Sequence, residues 1–439
     1  MDKRIVVLGA GVSGIGAAIL AKKQGFDVFV SDSGKITDDN KTTLINNEIN
    51  WEEGRHSLEN IINAQEIIKS PGISDQSKLV QSLRLNGMPI ISEVEFASRY
   101  TKAKIAAVTG TNGKTTTTLL LGHILKNAGY DVLVAGNVGV GFAYSILERD
   151  YDYIVLELSS FQLDGINEFK SDVSIILNIT PDHLDRYENN IENYASAKFN
   201  ITKNQTNNDF LIYNIEDVIV KKVKTKARKI PISLFNEQEE GGYLYNNELI
   251  IKINNKTMTI QELALQGKHN MFNSMAAAMA ARVFEVKDTV IRQSMIDFQN
   301  IEHRLEHVLT VHGINFINDS KATNINASWF ALESMKNDVV WIAGGVDKGN
   351  DYALLEQMVV DKVKSIICLG EGNQKIIKFF NSKVDTIVQA SSMNEAVKQS
   401  FSLADKGDTV LLSPACASFD LFLNYEDRGF QFKQAVRSL

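Results

Sequence analysis

Between the apolar run Ala106-Ala107-Val108 and a stretch rich in threonine and leucine lies Gly110-Thr111-Asn112-Gly113-Lys114-Thr115-Thr116. These residue types can hold phosphate. Glycines let consecutive N–H groups turn toward one anion, and a helix starting at the loop adds its dipole. Lys114 would neutralise β- and γ-phosphate charge, and the Thr115 hydroxyl would ligate Mg2+. An ordinary nucleotide loop has glycine where this chain has Val108, so Gly110 to Thr115 is a tighter variant. Such a loop needs an acid for its metal. Tyr153-Ile154-Val155-Leu156-Glu157 is an apolar strand ending in a carboxylate, at the sheet edge where ligands bind.

A second glycine turn, Gly9-Ala10-Gly11-Val12-Ser13-Gly14, follows apolar Ile5 to Leu8, and Asp32 ends the next strand. Alone, this satisfies the dinucleotide fingerprint and points to a dehydrogenase. The phosphate loop further on argues otherwise, because hydride transfer has no use for one. A nucleotide-loaded switch that binds a partner protein is an alternative from a non-enzyme class, but it needs no third α/β block.

The elements that must position these residues fall into three blocks of alternating strand and helix patterns, as in parallel sheets covered by helices. The first has strands Arg4–Leu8, Val28–Ser31 and Glu66–Lys69, with a helix over Ile15–Gln24. The second has strands Ile105–Thr109, Asp131–Ala135, Tyr153–Leu158 and Val173–Leu177, and helices over Thr115–Asn127 and Ile191–Lys203. Residues 205–262 alternate in short runs, with Gly241-Gly242 and Asn246-Asn247 read as turns, which predicts antiparallel hairpins. A small-residue helix covers Asn273–Phe284. The third block has strands Phe316–Asn318, Val339–Ala343, Ser365–Leu369 and Thr409–Leu412. The expected fold class is α/β in three domains, each a mainly parallel sheet with flanking helices: 1–94, 95–299 and 300–439.

Composition agrees. At 439 residues the chain is long enough for about three domains. A net charge of −7 argues against a surface evolved for nucleic acid. Two cysteines, Cys368 and Cys416, make no disulfide framework and suit a reducing compartment. The basic start and apolar stretch Ile5 to Ala21 imitate a signal peptide, but glycines at turn-like spacing fit a strand, turn and helix better. A cytoplasmic monomer without membrane insertion is expected.

Several further stretches carry a family resemblance. Glu157-Leu158-Ser159-Ser160-Phe161-Gln162, Asn178-Ile179-Thr180-Pro181-Asp182-His183-Leu184-Asp185, Gly267-Lys268-His269-Asn270 with Asn273, and His303-Arg304 resemble signatures of the Mur ligase family. They occur in order along the whole chain. Within the family, Asp319-Ser320-Lys321-Ala322-Thr323-Asn324 and Ser413-Pro414-Ala415-Cys416-Ala417-Ser418 are similar to the D-glutamate-adding members. Alanine-adding members usually carry histidine at the place of Asn112. Diamino-acid-adding members show an Asp-Asn-Pro-Arg motif, which this chain lacks. Folylpolyglutamate synthase shares the central chemistry but not the N-terminal glycine turn.

The resemblance implies ATP-dependent amide formation between UDP-N-acetylmuramoyl-L-alanine and D-glutamate through an acyl phosphate. It implies ATP contacts at Gly110, Thr111, Asn112, Gly113, Lys114, Thr115, Thr116, Asn273, Arg304 and Asp319. UDP-substrate contacts would come from Val12, Ser13, Ser33, Gly72, Asn137, Gln162 and His183. D-Glutamate would meet Thr323, Lys348, Ser418, Phe419 and Tyr425. Lys114, Glu157, His183 and Lys198 are the implied catalytic residues. Of two implied Mg2+ sites, Thr115 and Glu157 resemble ligands of the first; His183 and a carbamate on Lys198 resemble those of the second.

Overall fold

The computed structural model describes residues 3–138, 141–265, 267–298, 302–347 and 349–439. Lys348 therefore lies outside the described residues. The chain divides into two compact units, residues 1–263 with 270–298, and residues 264–269 with 299–439. The first unit contains two sheets and the second contains one.

The first sheet comprises β1 (Arg4–Leu8), β2 (Asp27–Asp32), β3 (Asn50–Glu53), β4 (Glu66–Lys69) and β5 (Ile90–Ser92). It is parallel throughout, in the order β3-β2-β1-β4-β5. The central strand β1 is apolar because helices cover both faces, and Ile5 to Leu8 are all buried. Helix Val12–Lys23 leaves its carboxyl end. Here strand order reverses, which opens a crevice at the glycine turn.

The second sheet contains β6 (Lys104–Thr109), β7 (Val132–Gly136), β8 (Tyr153–Glu157), β9 (Val173–Ile176), β10 (Phe210–Asn214), β11 (Arg228–Ser233), β12 (Gly241–Tyr245), β13 (Glu248–Ile253) and β14 (Lys256–Ile260). Their order is β14-β13-β12-β11-β10-β9-β6-β8-β7. The expectation of antiparallel hairpins over residues 205–262 holds only for β12 to β14; β10, β11 and β12 extend the sheet in parallel. Alternation reports a half-buried strand and not its direction. Asn246 and Asn247 are the turn expected, both left-handed, as a two-residue hairpin requires. Gly241 and Gly242 are not a turn but lie inside β12. A Cβ on Gly241 would stand 2.3 Å from the Pro231 carbonyl oxygen, and one on Gly242 would stand 2.5 Å from Met275, so close approach excludes side chains at both positions.

In the second unit, β15 (Glu306–Val311), β16 (Ile314–Asn318), β17 (Val339–Ala343), β18 (Val363–Leu369), β19 (Thr386–Ala390) and β20 (Thr409–Leu412) form a sheet in the order β15-β16-β20-β17-β18-β19. Only β15 runs antiparallel. Cys368 and Cys416 are buried free thiols. Among the described residues no helix is long and apolar enough to cross a membrane.

The two sheets of the first unit are joined by buried polar bonds. After β5, helix Glu93–Ser98 turns Glu95 inward. One carboxylate oxygen of Glu95 accepts the N–H groups of Asn167, Glu168 and Phe169 at 2.8, 2.9 and 2.8 Å. The other oxygen takes Arg99 at 3.2 Å, and Ser92 N–H donates to the Gly165 carbonyl at 2.7 Å. Glu95→Ala leaves three main-chain N–H groups without their carboxylate, that of Phe169 buried and those of Asn167 and Glu168 partly open to solvent. It should cost about 1–3 kcal/mol of stability, the cost of one buried orphan. A urea titration that shows a lowered midpoint with unchanged slope checks this.

Candidate active site

Strand β6 ends at Thr109 and helix Lys114–Asn127 begins past the loop. Gly110 has φ +151° and Gly113 has φ +86°, regions that only glycine enters freely. A Cβ on Gly113 would also lie 2.3 Å from Asn273 Oδ1. The loop is held from outside by the segment after β9. Asn178 Oδ1 accepts the Asn112 N–H at 2.8 Å, and Asn178 Nδ2 donates to the Asn112 carbonyl at 3.0 Å. The Asn178 carbonyl takes the Thr111 N–H at 2.8 Å, and the Thr111 hydroxyl donates to the Thr180 carbonyl at 3.1 Å. Asp217 supports that segment, accepting the Ile179 N–H at 2.8 Å.

Two lysines converge on one carbonyl. Lys114 Nζ donates to the Gly110 and Thr111 carbonyls at 3.0 and 2.9 Å, while Lys198 Nζ donates to the Gly110 carbonyl at 2.9 Å. Lys198 sits on helix Ile191–Phe199, 1% exposed, with its amine over the Tyr194 ring. Burial pushes its pKa well below that of an ordinary lysine, and Lys114 adds to the effect; Asp182, Asp164 and Glu157 oppose it.

Glu157 ends β8 opposite Val108 of β6 on one side and Gly136 of β7 on the other. Its Oε1 accepts from Asn137 Nδ2 at 2.9 Å, while its Oε2 is buried and has no partner among the described residues. Such an oxygen is costly unless a cation or donor arrives. Thr115 and Thr116 are buried in the first helical turn. His183 is left-handed at φ +52°, and its ring meets Phe161 edge-on. Gln162 is buried, and its side-chain oxygen accepts from the Ser159 N–H and hydroxyl at 3.0 Å each, capping helix Ser160–Leu163. That oxygen is thus engaged by the protein itself.

At the first glycine turn, Val12 is 74% exposed, Ser13 is half-buried, and Ser33 and Gly72 are exposed. The Asp32 carboxylate is used locally. Its two oxygens accept the N–H groups of Ala10 at 2.6 Å and Gly34 at 2.7 Å.

In the second unit, Asp319 is buried, accepting the Leu305 N–H at 3.2 Å and the Ser413 hydroxyl at 3.0 Å. Burial pushes its carboxyl up to about 7, against the pull of Arg304. Arg304 Nε is buried without a partner among the described residues. Burial, with Arg304 beside it, lowers the His269 imidazole to about 4. Thr323 is half-buried, Ser418 buried and Phe419 exposed; Tyr425 starts helix Tyr425–Arg437. Sequence reasoning missed Arg428 in that helix. It is fully buried and donates to the Ser320 hydroxyl and carbonyl and to the Cys416 carbonyl, strapping the Asp319–Ser320 turn to the Ser413–Ser418 turn. An arginine on a polar helix reads as solvated, so the sequence gives no signal for it. Asn178 was visible inside a motif, but its grip on the loop was not.

Residues 4–79 match the MurD N-terminal domain, 108–281 the Mur ligase middle domain, and 303–416 the Mur ligase glutamate ligase domain. A UDP-N-acetylmuramoylalanine--D-glutamate ligase of Christiangramia forsetii is 51% identical, with 100% of each chain covered. The chain belongs to the Mur ligase family. A protein of the same description from Bacteroides fragilis is 50% identical, again over 100% of both chains. Two solved structures share the Mur ligase fold. They are a pseudomurein peptide ligase type C of Methanothermus fervidus (TM-score 0.63, 20% identity, 100% of both chains) and a UDP-N-acetylmuramate-alanine ligase of Thermotoga maritima (TM-score 0.62, 19% identity, 100% of both).

In this Mur ligase the first unit brings together the Gly110–Thr116 loop, Glu157, Asn137 and Lys198. Arg304, Asp319, Thr323, Ser418, Phe419 and Tyr425 belong to the second. Asn178→Ala frees the loop from its template and leaves the Asn112 N–H and carbonyl without these partners. At about 1–3 kcal/mol, KM for ATP should rise roughly ten- to a hundredfold with the fold retained. Initial rates over an ATP titration, beside a melting curve, check it.

Proposed function

We propose that this Mur ligase joins D-glutamate to UDP-N-acetylmuramoyl-L-alanine with cleavage of ATP to ADP and phosphate, a step of peptidoglycan precursor synthesis. The observation that carries the reading is the end-to-end identity, 51%, with a relative bearing that activity. The phosphate loop with two lysines and an orphaned carboxylate oxygen supports it.

The chemistry needs a carboxylate made reactive. The alanine carboxylate of the UDP substrate attacks the γ-phosphorus of ATP, the bond to ADP breaks, and an acyl phosphate forms. The uncharged amine of D-glutamate then adds to the acyl carbon. The tetrahedral adduct loses phosphate and a proton, leaving the amide. Triphosphate, carboxylate and a dianionic amino acid must meet, so fixed positive charge and N–H donors carry the catalysis.

Loop amides and Lys114 hold the β- and γ-phosphates; on binding, Lys114 exchanges the Gly110 and Thr111 carbonyls for phosphate oxygens. The residues fit a magnesium ion at Thr115 and Glu157, because Glu157 Oε2 is buried and has no partner among the described residues. Bound there, Mg2+ supplies charge that offsets the transferring phosphoryl group. Lys198 is suited to a second role. Its depressed pKa favours the neutral amine, the form that adds CO2 to give a carbamate and release a proton. That carbamate, with His183, would anchor a second Mg2+. An unmodified ammonium there would repel it.

Val12, Ser13, Ser33, Gly72, Asn137, Gln162 and His183 are proposed to contact the UDP substrate. Asn273, Arg304 and Asp319 complete the ATP contacts, and Thr323, Lys348, Ser418, Phe419 and Tyr425 form the D-glutamate pocket. The dehydrogenase alternative loses its main support at Asp32, whose carboxylate is tied to two backbone N–H groups of the turns it serves. The protein is further proposed to act as a cytoplasmic monomer.

Phosphate release with UDP-N-acetylmuramoyl-L-alanine and ATP, scanned over D-Glu, L-Glu, L-Ala, L-Lys and diaminopimelate, tests the assignment. D-Glu should dominate. A pocket built for a side-chain carboxylate leaves its donors unpaired with alanine, at about 1–3 kcal/mol each. Equal turnover of L-Lys would reject the amino-acid assignment. Lys198→Ala should be nearly inactive and partly restored by short carboxylates that occupy the carbamate's place; full activity without them would overturn that role.

A further inference from the structure

Glu93 is the other inward glutamate of helix Glu93–Ser98. It is 3% exposed and makes no ion pair among the described residues. Its Oε1 accepts the Ala143 N–H at 2.6 Å, and the Phe142 N–H is also directed at the carboxylate. Burial without a cation pushes its carboxyl up to about 7. Glu95, two residues on, has three N–H donors and an arginine for a purely architectural joint. Glu93 is instead directed at one short segment, and nothing in the ligation chemistry uses it.

That segment, Phe142–Ser145, packs against helix Val12–Lys23, which opens at Val12 and Ser13 of the proposed UDP-substrate site. A Cβ on Gly16 would stand 3.1 Å from the Tyr144 backbone nitrogen, and one on Gly141 would stand 3.5 Å from Val12 Cγ1. Gly16 therefore permits the close approach, and a shift of the segment is felt at Val12.

We propose that Glu93 is a positioning residue for the UDP-linked substrate: by holding the Phe142–Ala143 main chain it sets where the packed helix presents Val12 and Ser13 to that substrate. The inference rests on the reading that these residues bind that substrate. Glu93 touches no reacting atom, so its effect belongs in binding of one substrate and not in the chemical step.

The test is steady-state phosphate release by the full chain, with each of the three substrates titrated while the others are saturating. Glu93→Ala should raise KM for UDP-N-acetylmuramoyl-L-alanine about tenfold or more, while KM for ATP and for D-glutamate and kcat stay within about twofold. Glu93→Gln keeps an acceptor for Ala143 and resembles a carboxyl already pushed toward neutrality; it should return KM to within about threefold of the parent. If the alanine variant fails to fold, Glu93→Asp, one methylene short of Ala143, gives the same readout. An unchanged KM for the UDP substrate in a folded variant overturns the proposal, as do equal rises in all three KM values or a glutamine variant as poor as alanine. A parent enzyme that turns over no UDP substrate removes the functional reading and this proposal together. Normal parent turnover with an unaffected variant removes this proposal alone.

Discussion

A site for triphosphate must present N–H groups and cations outward while hiding its own carbonyl oxygens. Here the carbonyl of Gly110 takes both Lys114 and Lys198, so that oxygen of the loop is covered by two amines. The arrangement depends on the loop staying where it is. Asn178 holds Asn112 by both its N–H and its carbonyl, as a paired strand would, and Asp217 holds Asn178's neighbour. Burial lowers the affinity of the Lys198 amine for a proton, and Lys114 beside it adds to the effect. The neutral amine proposed for carbamate formation thus follows from the same geometry that shapes the phosphate loop.

Acyl transfer also requires that the carboxylate to be activated arrive within about 3–3.5 Å of the phosphorus. The first unit joins its two sheets through main-chain bonds to buried carboxylates. Glu95 fixes residues 167–169 to the edge of the first sheet, and Glu93 fixes the turn at Ala143. Backbone N–H groups suit this joint better than side chains would, because they bring no rotamer freedom to be lost. The second unit repeats the device in another form, with Arg428 strapping two motif turns through their carbonyls.

Much of this is legible in the sequence. Strands Arg4–Leu8, Glu66–Lys69, Val339–Ala343 and Thr409–Leu412 have the limits that their apolar runs predict, because a strand covered on both faces must be apolar along its length. The Gly110–Thr116 loop was legible because left-handed glycines and a lysine at a helix start are local requirements. Glu157 was legible because its place follows from where its strand ends. The direction of β10 and β11 was not, since alternation is the same in parallel and antiparallel strands. Gly241 and Gly242 misled for a similar reason: glycine marks a turn and a close contact alike, and the contacts are with Pro231 and Met275, distant in sequence.

The sequence by itself determined the family, the α/β class and the phosphate chemistry, each of which rests on residues near one another in the chain. Tertiary structure alone decided which polar groups are buried and who partners them. It made Asn178 a template for the phosphate loop, turned Glu93 and Glu95 inward to the second sheet, and buried Arg428 between two turns. It also left one oxygen of Glu157 without a partner among the described residues. A side chain's charge and hydrogen bonds are set by the atoms packed around it, and those atoms come from segments tens to hundreds of residues away, with no spacing rule linking them.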